Sequence, residues 1–210
     1  MNVETATFPE RRLRSEYIAR RFQPFLKGKV LDVGCDRALL RELAPGLDYF
    51  GIDIGGAPDR VVNLEEENEL PFEDNSFDCV VCSDVLEHLD NIHDIFAELV
   101  RVTRGHVILS LPNNWTNARR PLARGKGAIG HYGLPVDPPK DRHKWFFSLS
   151  EAEMFIRGQQ GKAPFEIAEL FAMEKPRPAP VRLLRRVAVG SQTCYLNRYA
   201  HTLWAVLKKK

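Results

Sequence analysis

Apolar positions Leu13, Tyr17, Ile18, Phe22, Phe25 and Leu26 recur at helical spacing, and Pro24 and Gly28 close the segment, so the chain opens with an amphipathic helix. Short apolar runs then follow at 29–33, 49–53, 61–64, 77–83 and 106–111, with the length and turn punctuation of buried strands. Helical patterns fall between several of them. The clearest covers 90–102, where Ile92, Phe96 and Leu99 share a face, Asp90 or Asn91 can cap, and Gly105 can end it. Strands alternating with helices predict an α/β fold with a parallel, doubly wound sheet.

After Leu111 this rhythm stops. Residues 112–145 are rich in Pro, Gly and Arg without periodicity, which predicts a long functional loop or lid. Order returns at Ser148-Leu-Ser-Glu151, a capping box opening a helix to about Arg157. A strand is expected at 165–173, a break at 176–180, a short basic amphipathic helix at 181–189 and a last strand at 201–207. The whole, 1–210, is expected to be a single domain with an acceptor-side insertion at about 112–147 and a basic segment at about 174–198.

Composition narrows the function. The 210 residues carry a net charge of +2, too weak a field for a general nucleic-acid binder. The distribution is uneven: residues 61–100 hold 12 acids and no Lys or Arg, whereas 101–145 hold 9 basic and 2 acidic residues and 171–210 hold 9 basic and one acidic. No signal-like or membrane-spanning apolar run occurs, which predicts a cytoplasmic protein. Cys79 and Cys82 fall in one strand and should point to opposite faces, so they read as buried hydrophobes and not as metal ligands. No metal is expected elsewhere, because no carboxylate–histidine cluster is visible along the chain.

Chemistry concentrates in two places. The first strand ends in Val30-Leu-Asp-Val-Gly34-Cys-Asp36-Arg-Ala38, where Gly34 permits a sharp turn that leaves backbone amides facing a ligand. About twenty residues on, Tyr49-Phe-Gly-Ile-Asp53 ends the second strand in a carboxylate placed to hold ribose hydroxyls. Together these specify a nucleoside-containing ligand. The second place is the loop, which offers Asn113, Asn114 and Trp115, then His131-Tyr132, then His143, among Arg119, Arg120, Arg124, Lys126, Lys140, Arg142 and Lys144. The acidic run 65–69 reads as a solvated loop, His93 and His106 as structural, and Glu87-His88 as a helix-start pair.

The first motif, together with Gly51-Ile-Asp53, Leu70-Pro-Phe-Glu-Asp-Asn-Ser-Phe-Asp78 and Val85-Leu-Glu-His-Leu89, resembles the class I S-adenosylmethionine-dependent methyltransferases, small-molecule group, over residues 29–111. The resemblance implies a Rossmann-like, mostly parallel seven-stranded sheet with an antiparallel last strand, S-adenosylmethionine as cofactor and methyl transfer to a small acceptor. It also assigns residues. Gly34, Cys35 and Asp36 would line the methionyl part, Asp53 would hold the ribose, Ile54 an adenine face, and Asn63 and Leu64 the adenine edge; Asp32 is also assigned to the cofactor. Ser83 and Asp84 would approach the sulfonium and amino group. His131, Tyr132 and His143 are the candidate catalytic groups on the acceptor side.

One departure stands out: the family's Gly-x-Gly-x-Gly reads Gly34-Cys-Asp36-Arg-Ala38 here. An acid at the second glycine position repels a pyrophosphate and attracts a sulfonium, which favours S-adenosylmethionine over NAD. The rival readings are an NAD-linked oxidoreductase and a non-catalytic nucleoside-binding or membrane-docked scaffold. The basic segments predict an acceptor that is anionic or presented at a membrane, with 181–189 more readily a lid packed on its own domain than a peripheral membrane contact.

Overall fold

The structure, a computed structural model, describes every residue except 126, 128, 140 and 141. Lys126 and Lys140 of the basic loop therefore lie outside the described residues. The described residues form, in chain order, β1 (Asn2–Thr5), α1 (Arg11–Arg21), β2 (Lys29–Val33), α2 (Leu39–Leu43), β3 (Asp48–Asp53), β4 (Arg60–Val61), β5 (Phe77–Ser83), a 3-10 turn (Leu86–His88), α3 (Ile92–Val102), β6 (Thr103–Pro112), α4 (Asn114–Ala123), α5 (Leu149–Gln159), β7 (Phe165–Glu174), α6 (Ala179–Val189), α7 (Gln192–Tyr199) and β8 (Ala200–Lys209).

The strands form one sheet in the order β1-β7-β8-β6-β5-β2-β3-β4. Only β8 runs antiparallel, pairing with β6 and β7; the other pairs are parallel. The sheet thus has eight strands where seven were expected. The additional one is β1, four residues with a single clear apolar position, which gains its partners only at the outer edge of β7.

Alternation along each strand sends side chains to two cores. Leu31, Val33, Val80 and Cys82 pack with α3, α5 and α7 on one face; Val30, Cys79, Val81 and Trp204 pack with α1 on the other. Cys79 and Cys82 do point to opposite faces, as strand geometry requires. The capping box forms as read, with the Ser148 hydroxyl accepting from the Glu151 amide and the Glu151 carboxylate accepting from the Ser148 amide at 2.7 Å.

Three expectations need correction. The loop after Leu111 begins with a helix, α4, capped by the Asn113 side chain accepting from the Trp115 amide; Asn, Thr and Pro121 in that window hid it. The strand expected at 61–64 stops at Val61, because the Asn63 side-chain oxygen accepts from the Glu65 amide and turns the chain. Helix α3 ends at Val102, the end expected of it, but Gly105 is not its stop, since it already belongs to β6.

Helix α6 also departs from its expected role. None of its residues is buried: Leu183, Leu184 and Val187 are 65%, 70% and 73% exposed. Its arginines turn toward the domain instead. Arg182 reaches the buried Glu174, Arg185 lies over the Tyr199 ring and Arg186 over Tyr195. The apolar face that a packed lid would bury is therefore the outer one.

Candidate active site

A cavity of about 1320 Å³ opens where the carboxyl ends of β2, β3, β5 and β6 meet, the position at which doubly wound sheets bind ligands. The first loop is rigid. The Gly34 and Cys35 amides both donate to the Ile52 carbonyl, and a Cβ at Gly34 would stand 2.3 Å from a Val85 methyl. Asp36 and Ala38 sit at φ +47° and +52°, the left-handed conformation that the two absent glycines would adopt without strain. Asp36 is held there by its amide donating to Asp53 at 2.7 Å and by its carboxylate pairing with Arg11 at 2.6 Å.

Asp53 ends β3 with its second oxygen accepting from the Gly55 amide at 3.1 Å. Beside it Ile54 is 67% exposed, an apolar surface facing the cavity with nothing packed on it from the chain's core. Behind the loop, half-buried Asp32 accepts from the Tyr49 hydroxyl at 2.8 Å; desolvation, with Asp53 nearby, pushes its carboxyl up to about 6. Burial and the same two acids push the Cys35 thiol up to about 12, so it lines the cavity as a neutral group.

At the end of β5, Asp84 lies at φ +53° and accepts from the Ser110 hydroxyl at 2.6 Å. With that hydrogen committed, the Ser83 hydroxyl donates to Ser110, 3.0 Å away. The other Asp84 oxygen pairs with Arg14 at 2.7 Å. Arg11 and Arg14 were missed in the sequence: the period of α1 identified a helix, and only the fold shows that its first turn lies over the cavity. All ten residues assigned to the cofactor, Asp32, Gly34, Cys35, Asp36, Asp53, Ile54, Asn63, Leu64, Ser83 and Asp84, line this one cavity.

His131 and His143 line it too, their rings stacked at 4.5 Å. Tyr132 does not line it. Its hydroxyl donates to the Trp145 carbonyl and lies 3.2 Å from His143 Nδ1, so it positions a histidine and does not face the cavity. The loop is stitched to the acidic stretch: Lys144 pairs with Asp90 at 2.7 Å and Glu65 at 3.2 Å, and the Trp145 indole donates to the Leu89 carbonyl. His93 packs against Trp145 and Phe155, and His106 against Phe25, both structural as expected. The expected absence of a carboxylate–histidine cluster is not met, because Glu87, His88 and His143 converge here.

A parallel sheet with a glycine turn, a ribose-ready carboxylate and a cavity over its carboxyl ends defines a nucleoside-binding protein of the Rossmann-like class. The chain belongs to the methyltransferase domain family, whose pattern matches residues 8–154, and is a class I S-adenosylmethionine-dependent methyltransferase. It is 31% identical over 159 residues to a ubiquinone biosynthesis O-methyltransferase of Photobacterium profundum, a match spanning 66% of each chain, just under two thirds of that relative. Its fold resembles an S-adenosylmethionine-dependent methyltransferase from Methanosarcina mazei (18% identity, TM-score 0.55, 90% of this chain and 97% of that one). It also resembles magnesium protoporphyrin IX methyltransferase from Synechocystis with bound S-adenosylhomocysteine (17%, 0.55, 95% and 83%). Family membership favours methyl transfer over the oxidoreductase reading.

Proposed function

We propose that this enzyme methylates a small acceptor that is anionic or presented at a membrane surface, with S-adenosylmethionine lying across the ends of β2, β3 and β5. The observation that carries the cofactor placement is the convergence of ten residues from four separate sequence segments on one cavity, which two histidines also line. Asp53 would hold the ribose hydroxyls, Ile54 an adenine face, and Asn63 with Leu64 the adenine edge. The Gly34–Asp36 turn would follow the methionyl part. Arg14, now paired with Asp84, would exchange onto the carboxylate, leaving Asp84, Ser83 and Asp32 toward the amino group.

The cofactor supplies a methyl carbon already activated by positive sulfur, so the chain's task is alignment and, for a protonated nucleophile, removal of one proton. His131 is the base in this reading: both histidines line the cavity, but His143 is buried and tethered through Nδ1. The O-methyltransferase relatives support a hydroxyl on a small molecule as the nucleophile. The exposed apolar face of α6 supports the membrane-presented form, and among the described residues no helix is long and apolar enough to cross a membrane.

The direct check is calorimetry with S-adenosylhomocysteine. Asp53→Ala should weaken binding by about 1.5–3 kcal/mol, the range for hydrogen bonds to a charged group. Unchanged affinity would remove Asp53 from the site.

A further inference from the structure

We propose that Arg119, Arg185 and Arg186 form a binding site for a phosphate or diphosphate group beside the cavity, apart from the residues assigned to the cofactor. Arg119 belongs to α4 and the other two to α6. Together with α7 these helices carry six arginines and no aspartate or glutamate. Two tyrosines of α7, their rings 5.1 Å apart, gather the guanidinium groups. Arg119 and Arg185 lie 5.3 and 4.5 Å from the centre of the Tyr199 ring, and Arg186 lies 5.4 Å from that of Tyr195.

A ring face holds a guanidinium without supplying an anion. Stacking engages the flat face and leaves free the N–H donors around the edge, the fork that matches the oxygens of a phosphate. Glu174 is the carboxylate nearest to this cluster, and it is already used: it accepts from the Tyr195 hydroxyl at 3.0 Å and stands 3.6 Å from Arg182 Nε. Among the described residues no carboxylate pairs with Arg119, Arg185 or Arg186. Arg119 Nε is moreover shut off from solvent with no hydrogen-bond acceptor, as is Arg182 Nε. Buried donors on charged groups are costly to leave unmatched, and an oxyanion drawn between α4 and α6 supplies the acceptor.

Arg119 and Arg185 share one ring, which puts their charges within about 10 Å of each other, and they repel until a multivalent anion joins them. Phosphate and diphosphate offer the charge and the several oxygens that this needs. The arginines turn toward the domain while Leu183, Leu184 and Val187 face outward, which favours the phosphate of a small soluble molecule over a lipid headgroup.

Asn117, Lys175 and His201 line the cavity, and each lies within two positions of Arg119, Glu174 or Tyr199 in the chain. The site is thereby placed to anchor an acceptor by its phosphate while the acceptor's hydroxyl enters the cavity. That use rests on the methyl-transfer reading; the existence of the site does not.

The test is calorimetry of the intact chain with pyrophosphate, and with inorganic phosphate, at fixed ionic strength, with and without saturating S-adenosylhomocysteine. The expected result is one pyrophosphate per chain in both conditions, weakened at least tenfold in Arg119→Gln and in Arg185→Gln, and less in Arg185→Lys, which keeps the charge without the fork. Arg157→Gln, which removes the same charge from α5, should leave it unchanged, and S-adenosylhomocysteine affinity within twofold of wild type checks the fold. Neither Arg119→Gln nor Arg185→Gln strands a carboxylate, as Arg182→Gln would. No uptake at millimolar pyrophosphate, uptake abolished by S-adenosylhomocysteine, or equal uptake by wild type and all variants would overturn the site. Displacement of pyrophosphate by phosphatidylglycerol vesicles but not phosphatidylcholine vesicles would overturn the soluble source in favour of a headgroup; no displacement by either supports it. For the anchoring role, Arg185→Gln should raise KM at least tenfold for a phosphorylated hydroxyl acceptor and by less than twofold for its unphosphorylated counterpart; equal shifts would overturn that role. Pyrophosphate binding by a wild type that does not bind S-adenosylhomocysteine would leave the site standing and sink the cofactor assignment instead.

Discussion

Asp32 is a carboxyl placed where its charge is disfavoured, under the glycine turn with Asp53 close by and the Tyr49 hydroxyl donating to it. Its folded value of about 6 lies above that of an unfolded aspartate, so the folded chain binds the extra proton. The stabilisation is fully present below about pH 4 and is lost as pH rises through about 6. Asp32→Asn keeps the shape and the Tyr49 contact without the charge. Urea unfolding from pH 4 to 7 should therefore show wild type losing stability relative to Asp32→Asn, and parallel curves would show that Asp32 carries no such penalty. The neighbouring Asp36 and Ala38 show what a residue-level reading reaches: two absent glycines were legible as a departure, and both replacements do adopt left-handed backbone. The ion pair with Arg11 was not legible, because it depends on where a helix 25 residues upstream is laid.

At the scale of elements, uninterrupted apolar runs were the clearest signal. Residues 29–33 and 77–83 were read to the residue, since a strand covered on both faces needs an apolar side chain at nearly every step. Elements whose stability comes from their neighbours were missed. β1 is completed by β7, and α7 is a polar eight-residue helix anchored by Tyr195 and Leu196. The same limit hid the cluster of Glu87, His88 and His143: 55 positions separate its two segments, and only the folded loop joins them. In α6 the period was read correctly and its orientation was not, because cation–π contacts with Tyr195 and Tyr199 turned the arginines inward. That orientation has a measurable consequence. Changing Leu183, Leu184 and Val187 together to Ser should alter folding stability by less than about 1 kcal/mol, as exposed substitutions do. Each apolar side chain fully buried in a membrane surface contributes about 1.5–3 kcal/mol. Sedimentation with anionic vesicles should thus show at least a tenfold loss of binding in the triple variant; a wild type that ignores vesicles would leave a soluble acceptor only.

For the molecule as a whole, much of the uneven charge is neutralised internally. Arg101 pairs with Glu98 and Asp74, Arg104 with Asp78, and Lys144 with Glu65 and Asp90, all drawing on the acidic stretch 61–100. The arginines of α6 are likewise held by Glu174 and aromatic rings. The raw sums of the two basic segments therefore overstate the field at the cavity. What reaches it from them is mainly Arg142, Lys144 and Lys175, with Arg11 and Arg14 added from α1. Of these, Arg11, Arg14 and Lys144 already face carboxylates. Steering of an anionic acceptor should then be moderate and should rest on Arg142 and Lys175. Surface fields of this kind raise association rates by about tenfold or more at low salt and fade over a screening length of about 8 Å at physiological ionic strength. With a panel of small hydroxyl acceptors, kcat/KM for the anionic members should fall roughly three- to tenfold between low and high salt, and Lys175→Gln should flatten that dependence. Neutral members should show neither effect. Preference for neutral acceptors, with no response to salt, would mean that the rim charges serve only to hold the N-terminal helix and the loop in place.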